Sequence, residues 1–331
     1  MDGDNSQRAD PGTPPLSKEQ NVFRVLSLDG GGAKGFYTLG ILDELEKNSG
    51  RPLHKSFGLV FGTSTGSIIA TLIARGDSVE SILKLYRESV PAIMRSKNPK
   101  RRSSALKELA EDTFGKTTIG DFKTNLGIVS TNWKDERPLI FKTSGTQAHG
   151  SSGSFVPFFG CSLADAIIAS CSACPLFLTH TITKSTGDVV ELGDGGFCAN
   201  NPALYAIADA TLALKQPREN LRVVSLGVGS YPEPPLWRRF ARLWRGPELL
   251  RHAFNKDFLQ KLLGINTCSM EVLRSILFKD VPTIRISETF AEPAMATDFL
   301  EHDLGKLNRL VQKGRLSYGK HETEFKRFLN Y

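Results

Sequence analysis

Residues 22–45 read VFRVLSLDGGGAKGFYTLGILDEL. The first seven residues are β-branched and apolar, the pattern of a buried parallel strand. A glycine-rich turn follows, then apolar residues at helical spacing: Phe36, Leu39, Ile41, Leu42 and Leu45. Residues 57–76, FGLVFGTSTGSIIATLIARG, repeat the plan. A short strand (57–61) meets the tight turn 62–66 and a helix that Gly76 closes. Two strand–turn–helix units in succession predict an α/β fold with a mostly parallel, helix-covered sheet.

Two helices are expected at 78–95 and 103–114, with an exposed basic linker, SKNPKRRSS, between them. Residues 126–133 and 137–143 read as strands, with a hairpin across Lys134-Asp135-Glu136 as one pairing. The glycine–serine stretch 144–160 has the length of a lid or mobile segment. A helix at 162–173, a strand at 188–192, the loop GDGGFCANNP, a helix at 202–214 and a strand at 221–229 follow. YPEPP then breaks the pattern. The expected organisation is a disordered tail over 1–20, a catalytic α/β domain over 21–230, and a mainly helical extension over 231–331 packed on that domain.

GTSTG fits G-x-S-x-G in the strand-before, helix-after setting of a nucleophile elbow. Gly62 and Gly66 leave room for the turn, and Ser64 sits at its apex ahead of a helix N-terminus. An ordinary glycine–serine turn would read the same way. In DGGGAKG, the run Gly30-x-Gly32-x-x-Gly35 also satisfies a dinucleotide fingerprint. That use calls for an acidic residue at the end of the second strand, where Phe61-Gly62-Thr63-Ser64 stand instead, which weakens an oxidoreductase. A phosphate-binding P-loop fails because Gly35 follows Lys34. The remaining use is an oxyanion hole, with the amides of Gly30, Gly31 and Gly32 facing a tetrahedral intermediate.

A serine nucleophile needs a base. A Ser…Asp…His order would require His252, His302 or His321, none of which lies in a glycine-rich loop. Asp194, flanked by Gly193, Gly195 and Gly196 and followed by a helix, is the stronger candidate. Desolvation in an apolar cleft would raise its pKa toward that of a useful base. Taken alone, Asp194 reads by default as a turn or N-cap aspartate.

The chain has 331 residues, 40% hydrophobic and 23% charged, an ordinary globular composition. Its net charge is +7, from 42 Lys+Arg and 35 Asp+Glu. Five scattered cysteines argue for a reducing cytoplasm, and Cys171-x-x-Cys174 lacks the second pair of a zinc site. No apolar run has the length of a membrane span. In PPLWRRFARLWR (234–245), Trp237, Phe240 and Trp244 share one helical side, with Arg238, Arg239, Arg242 and Arg245 interleaved. That suits an anionic lipid interface, and equally a helix packed on the sheet with a solvated arginine face. Lys97, Lys100, Arg101 and Arg102 form the other basic cluster, either a solvated linker or a contact for a phosphate-bearing effector. No duplex-binding motif is present.

DGGGAKG, GTSTG, AIIASCSACPLF (through Ala169, Ser170, Ala173, Pro175 and Phe177) and DGG, in that order, resemble the patatin-like phospholipase family. The resemblance implies a three-layer α/β/α fold, a helical C-terminal region and hydrolysis of glycerolipid acyl esters without metal. It also implies a Ser–Asp dyad, with Ser64 as nucleophile, Asp194 as base, and Gly30, Gly31 and Gly32 as the oxyanion loop. Lys34 stands where many members carry arginine, so the charge is kept and the fork geometry is lost. Lys34, Gly35, Gly62, Gly66, Gly195 and Gly196 support the motifs.

Over nearly the whole chain, SLDGGGAKGFYTLGIL, FGTSTGSIIA, DGGFCANNPALYAIADA, GVGSYPEP and LFKDVPTIRIS are similar to bacterial phospholipase effectors of cyclic-oligonucleotide anti-phage systems. That similarity implies activation by a cyclic dinucleotide such as cyclic GMP-AMP, supplied by a partner synthase. It further implies attack on the cell's own phospholipids from the inner membrane, and leaves homo-oligomerisation and the effector site open. The competing functions are a Ser–His–Asp esterase without nucleotide control and a nucleotide-sensing module with a vestigial hydrolase site.

Overall fold

The computed structural model describes residues 22–147, 156–231 and 247–331. The strands are β1 (Phe23–Leu28), β2 (Leu59–Thr63), β3 (Asn125–Asn132), β4 (Arg137–Lys142), β5 (His180–Thr183), β6 (Val189–Asp194), β7 (Leu221–Leu226) and β8 (Thr283–Ile286). They form one sheet in the order β5-β6-β3-β2-β1-β7-β8, with β4 on β3. β3, β2, β1, β7 and β8 pair in parallel, while β4, β5 and β6 enter antiparallel. The expected hairpin forms between β3 and β4.

Alternation along each central strand explains the layers. Val25, Leu59, Phe61, Val129 and Val223 face one core, and Leu26, Leu28, Val60, Ile128 and Val224 face the other. The larger core takes the apolar faces of α1 (Gly35–Ser49), α2 (Thr65–Arg75), α3 (Val79–Arg95), α4 (Pro99–Phe114) and α5 (Leu163–Ser170). The smaller takes Ala206 and Ile207 of α6 (Ala203–Ala208), with Met270 of α7 (Pro247–Leu277) packed against it. The fold is therefore three-layered. α8 (Leu304–Leu329) returns to the larger core through Leu307, Leu310 and Phe325. β8 extends the parallel sheet into the C-terminal region, which is thus not helical alone.

Two local expectations change. α4 begins at Pro99, with Asn98 as its side-chain N-cap, so Lys100, Arg101 and Arg102 lie in the helix's first turn and only Lys97 precedes it. Arg102 is fully buried and donates to the carbonyls of Ser96, Lys97 and Leu176 at 2.6, 3.2 and 2.7 Å. Its guanidinium closes orphan carbonyls and is not open to an effector, whereas Lys100 and Arg101 stay exposed. In the stretch expected as a lid, Gln147 is buried and tied to Leu126, Thr143 and Asp209. Phe158 is buried as well, and residues 148–155 lie outside the described residues.

α1 and α8 cross with their backbones touching. A Cβ on Gly40 would sit 2.1 Å from the Val311 carbonyl, and one on Gly314 would sit 2.1 Å from the Tyr37 carbonyl. Tyr37 donates to Ser317 at 2.8 Å, and Arg315 reaches Asp43 at 2.6 Å, across the same seam. Gly40→Ala or Gly314→Ala must push the helices apart. Each should cost about 1–3 kcal/mol of unfolding free energy in a urea titration.

Candidate active site

The turn between β2 and α2 sets Ser64 at φ 52° and ψ −126°, a conformation that non-glycine residues rarely adopt. Close approach makes it possible. A Cβ on Gly62 would meet the Gly66 carbonyl at 2.2 Å, and one on Gly66 would meet the Leu28 carbonyl at 2.3 Å. The Ser64 carbonyl accepts from Ser67 N and Ser67 Oγ at 2.8 and 2.6 Å, which seals the first turn of α2. The Ser64 N–H donates to Ser170 Oγ at 3.0 Å, and that hydroxyl donates onward to the Val129 carbonyl at 2.6 Å.

Asp194 ends β6 and is 1% exposed. Its backbone is fixed twice: its N–H donates to the Ser172 carbonyl at 3.0 Å, and its carbonyl accepts from Thr131 Oγ1 at 2.8 Å. Gly195 N–H reaches the Ser170 carbonyl at 3.3 Å. The segment 170–172 thus holds both the serine turn and the aspartate strand. Asp194 Oδ1 accepts from Gly196 N at 2.7 Å, while Oδ2 has no hydrogen-bond partner among the described residues. Burial pushes the carboxyl up to about 7, against the Gly196 amide and the Ser64 side chain, which both favour the charged form. The two residues expected as nucleophile and base therefore meet, with a free carboxylate oxygen left for a proton.

The glycine loop lies against the serine. A Cβ on Gly30 would come within 3.2 Å of Ser64 Cβ. The Gly30 N–H, however, donates to the Asn200 carbonyl at 2.9 Å, so it is withdrawn from the expected oxyanion set. The amides of Gly31 and Gly32 make no hydrogen bond to the described residues. Gly32 sits at φ +56°, with the Phe299 carbonyl where a Cβ would project, so no other residue fits. Lys34 Nζ donates to the Gly229 carbonyl at 3.5 Å, and Gly35 opens α1.

Several residues that hold the site were given no role from sequence. Asn200 Nδ2 donates to the Gly30 carbonyl at 3.2 Å and to Thr267 at 2.7 Å. Asn266 of α7 accepts from Asn200 N at 2.8 Å and donates to the Cys198 carbonyl at 3.1 Å. Asp29, which precedes the glycines, is gripped by Arg285 of β8 through both oxygens, at 2.8 and 2.5 Å. Ser170 belonged to a recognised block, and the paired asparagines stood beside the DGG turn, so both carried some signal. Arg285 lay in the matched stretch LFKDVPTIRIS, but nothing there marked it as the partner of Asp29, to which only the β7–β8 pairing brings it.

Ile68, Ile93, Met94, Leu106, Phe177 and Phe299 wall an apolar cleft that opens on Ser64 and Asp194. Its volume is only ≈ 60 Å³, far below the ~300 Å³ of ordinary small-molecule sites. Cys171 lines the same cleft, and burial keeps its thiol protonated. Among the described residues no histidine hydrogen-bonds to Ser64 or Asp194. His180 pairs with Asp165, His302 with the Leu300 carbonyl and His321 with Glu324, while the His252 side chain lies outside the described residues. Also outside are Trp237, Arg238, Arg239, Phe240, Arg242 and Trp244. Among the described residues, no cluster could hold a metal and no helix is long and apolar enough to cross a membrane.

Residues 26–207 match the patatin-like phospholipase family. A cUMP-AMP-activated phospholipase of Escherichia coli is 55% identical over 93% of this chain and 94% of its own length. A cGAMP-activated phospholipase of Pseudomonas aeruginosa is 29% identical over 68% of this chain and 67% of its own. Patatin-12 of Solanum tuberosum is 28% identical over 65% and 62%. The chain belongs to the patatin-like phospholipase family, and it is a hydrolase of that family.

Two outcomes follow from the geometry. If Asp194 serves as the base, as expected from sequence, it must be charged to accept a proton, so kcat/KM should fall about tenfold per pH unit below about 7. Its folded pKa lies above the ~3.9 of an unfolded aspartate, so its contribution to stability is present at low pH and lost as pH rises through about 7. Asp194→Asn should therefore be more stable than wild type at pH 8, with the gap closing toward pH 4 in urea titrations. Arg285→Gln leaves Asp29 buried and half-paired. It should cost about 3–5 kcal/mol in the same assay and lower kcat more than it raises KM.

Proposed function

We propose that this phospholipase is a serine acyl hydrolase that a cyclic nucleotide switches on, with Ser64 as nucleophile and Asp194 as general base. The observation that carries the chemistry is the buried Asp194 Oδ2, with no hydrogen-bond partner among the described residues, beside the strained Ser64. Asp194 takes the hydroxyl proton as Ser64 Oγ attacks the ester carbonyl of a membrane glycerophospholipid. The N–H groups of Gly31 and Gly32, at the start of the helical turn that leads into α1, bind the oxyanion. Asp194 then returns its proton to the departing lysolipid oxygen, leaving an acyl-serine. A water deprotonated by Asp194 attacks that ester, and fatty acid is released as the proton passes back to Ser64. No step requires a metal.

Activation rests on the relatives. The most extensively matched one named above is activated by cUMP-AMP and another by cGAMP, so a pyrimidine–purine cyclic dinucleotide is the first activator to try. The narrow cleft agrees with an enzyme that needs opening, since an acyl chain cannot enter ≈ 60 Å³. The protein is then the effector arm of a pair whose other member synthesises the nucleotide. It attacks the inner membrane from the cytoplasmic side as an anti-phage response, and residues 237–245 are the proposed lipid contact.

Fatty-acid release from vesicles of mixed bacterial phospholipids, measured against a panel of cyclic di- and trinucleotides, tests this. Release should depend on one cyclic dinucleotide. Ser64→Ala and Asp194→Asn should each lower it about 10³-fold or more. Full release by Ser64→Ala would overturn the nucleophile, and nucleotide-independent release would overturn the switch.

A further inference from the structure

A second cavity of ≈ 460 Å³ lies on the other side of the glycine loop. It is larger than the acyl cleft and separate from Ser64, yet Gly31, Leu263 and Phe299 line both. Its position follows from topology. From β1 the chain runs to β2 on one side, while β7 and β8 lie on the other. The cavity opens where the residues after β1 (Gly30, Gly31), after β7 (Val228–Ser230) and after β8 (Ser287, Thr289) converge. The crevice at such a switch point, beyond the carboxyl ends of parallel strands, is where open α/β sheets bind ligands.

We infer that this cavity is the binding site for the activating cyclic dinucleotide. The inference rests on the activation proposed above and assigns its place. The first argument is Gly264. It stands in the interior of the long helix α7, where glycine weakens a helix relative to every residue but proline. No packing among the described residues demands it, because a Cβ there would meet none of them within 4 Å. What its missing side chain does is leave the cavity open.

The second argument is the lining. Val228, Leu263 and Phe299 offer apolar surface for a base, and Ser230, Ser287 and Thr289 offer hydroxyls. Charges of both signs surround them: Lys34 and Arg285, and the carboxylates of Asp29 and Glu271. A bare phosphate would meet those carboxylates, whereas a nucleotide brings base amino groups for acceptors as well as phosphates for donors.

The third argument is coupling. The cavity floor is the set of contacts that fixes the oxyanion loop. Arg285 grips Asp29, Glu271 stands 3.9 Å from Arg285 and accepts from Arg274 at 2.6 Å, and Asn201 donates to Glu271 at 3.1 Å. A ligand that binds better when Leu263 and Phe299 stand apart would widen the acyl cleft from behind. α7, β8 and Phe299 lie outside residues 26–207, so the cavity joins the region that matches the family to the part of the chain beyond it.

The test is calorimetric titration of the full chain with cyclic UMP-AMP, cyclic GMP-AMP, inorganic phosphate and glycerophosphoethanolamine. It is repeated for Gly264→Trp, which fills the cavity, and for Val272→Glu, a half-exposed rim position where added negative charge repels phosphate. One cyclic dinucleotide should bind wild type. Both variants should weaken it by about tenfold or more, with the activator concentration for half-maximal fatty-acid release rising by the same factor. If Gly264→Trp fails to fold, Val272→Glu decides. Activation with unchanged affinity in the folded variants overturns the cavity assignment and leaves the switch standing. Glycerophosphoethanolamine binding that the variants abolish, with nucleotide affinity unmoved, makes the cavity a headgroup subsite and overturns the assignment too. A wild-type enzyme that neither binds nor responds to any cyclic nucleotide overturns the switch itself.

Discussion

One buried ion pair joins the first strand of the sheet to its last. Asp29 is 2% exposed, at the point where β1 ends and the glycine loop begins, and Arg285 of β8 meets both its oxygens. Burying a carboxylate is costly unless its charge is matched and its oxygens find donors; Arg285 supplies both, against a burial that still pushes the Asp29 carboxyl up. The pair dictates where β8 must lie, and with β8 the surrounding elements. Ser225 of β7 accepts from the same guanidinium at 2.8 Å, so the parallel order β1-β7-β8 is locked by side chains as well as by the backbone ladder. Asn200 also holds the glycine loop, donating from Nδ2 to the Gly30 carbonyl. The glycines themselves cannot hold it, since they have no side chains to pack.

The site accepts three local costs. Ser64 occupies a strained backbone conformation, Asp194 is desolvated with one oxygen unpaired, and Gly32 must have positive φ. Each persists because neighbours over-determine it. Ser170 fixes the serine amide and, through its carbonyl, the residue after Asp194, while Ser172 fixes the Asp194 amide. The proposed nucleophile and base are thereby set against each other by one short segment, although they stand far apart in the chain. The same desolvation that destabilises charged Asp194 gives it the basicity that the proposed proton transfer from Ser64 requires, so the cost and the proposed chemistry have a single source.

What could be read from the sequence was what is local in it. The strand–glycine–helix units at 22–45 and 57–76, the Ser64 apex and the Asp194 turn each carry their pattern within a few neighbouring residues. β5 and β8 were missed because four residues are too few for alternation to show. The Gly30 amide was misassigned because its acceptor, the Asn200 carbonyl, is a distant backbone atom that no pattern marks. Arg102 was read by its charge, as solvated or ligand-binding. In the fold, three carbonyls left over at the end of α3 and near Phe177 needed donors more than solvent needed the guanidinium. Side-chain type predicts chemistry well when a residue's partners are adjacent, and poorly when the partners are carbonyls from elsewhere.

The two cavities give the fold a way to be regulated without disturbing its dyad. Ser64 and Asp194 are fixed from the β3, β6 and α5 side, by Val129, Thr131 and residues 170–172. The oxyanion loop is fixed from the opposite side, by β8, α7 and Asn200. These supports share few residues, so a shift of α7 or Phe299 can alter the cleft and the loop while the Ser–Asp geometry stays as it is. Leu263 and Phe299 stand between the spaces, one on α7 and one in the segment before α8, and both belong to the C-terminal region. A wall built from a helix and a loop, with its glycine on the cavity side, resists displacement less than the eight-stranded sheet beneath it. Movement induced by a ligand would therefore pass through that wall before it reached the dyad.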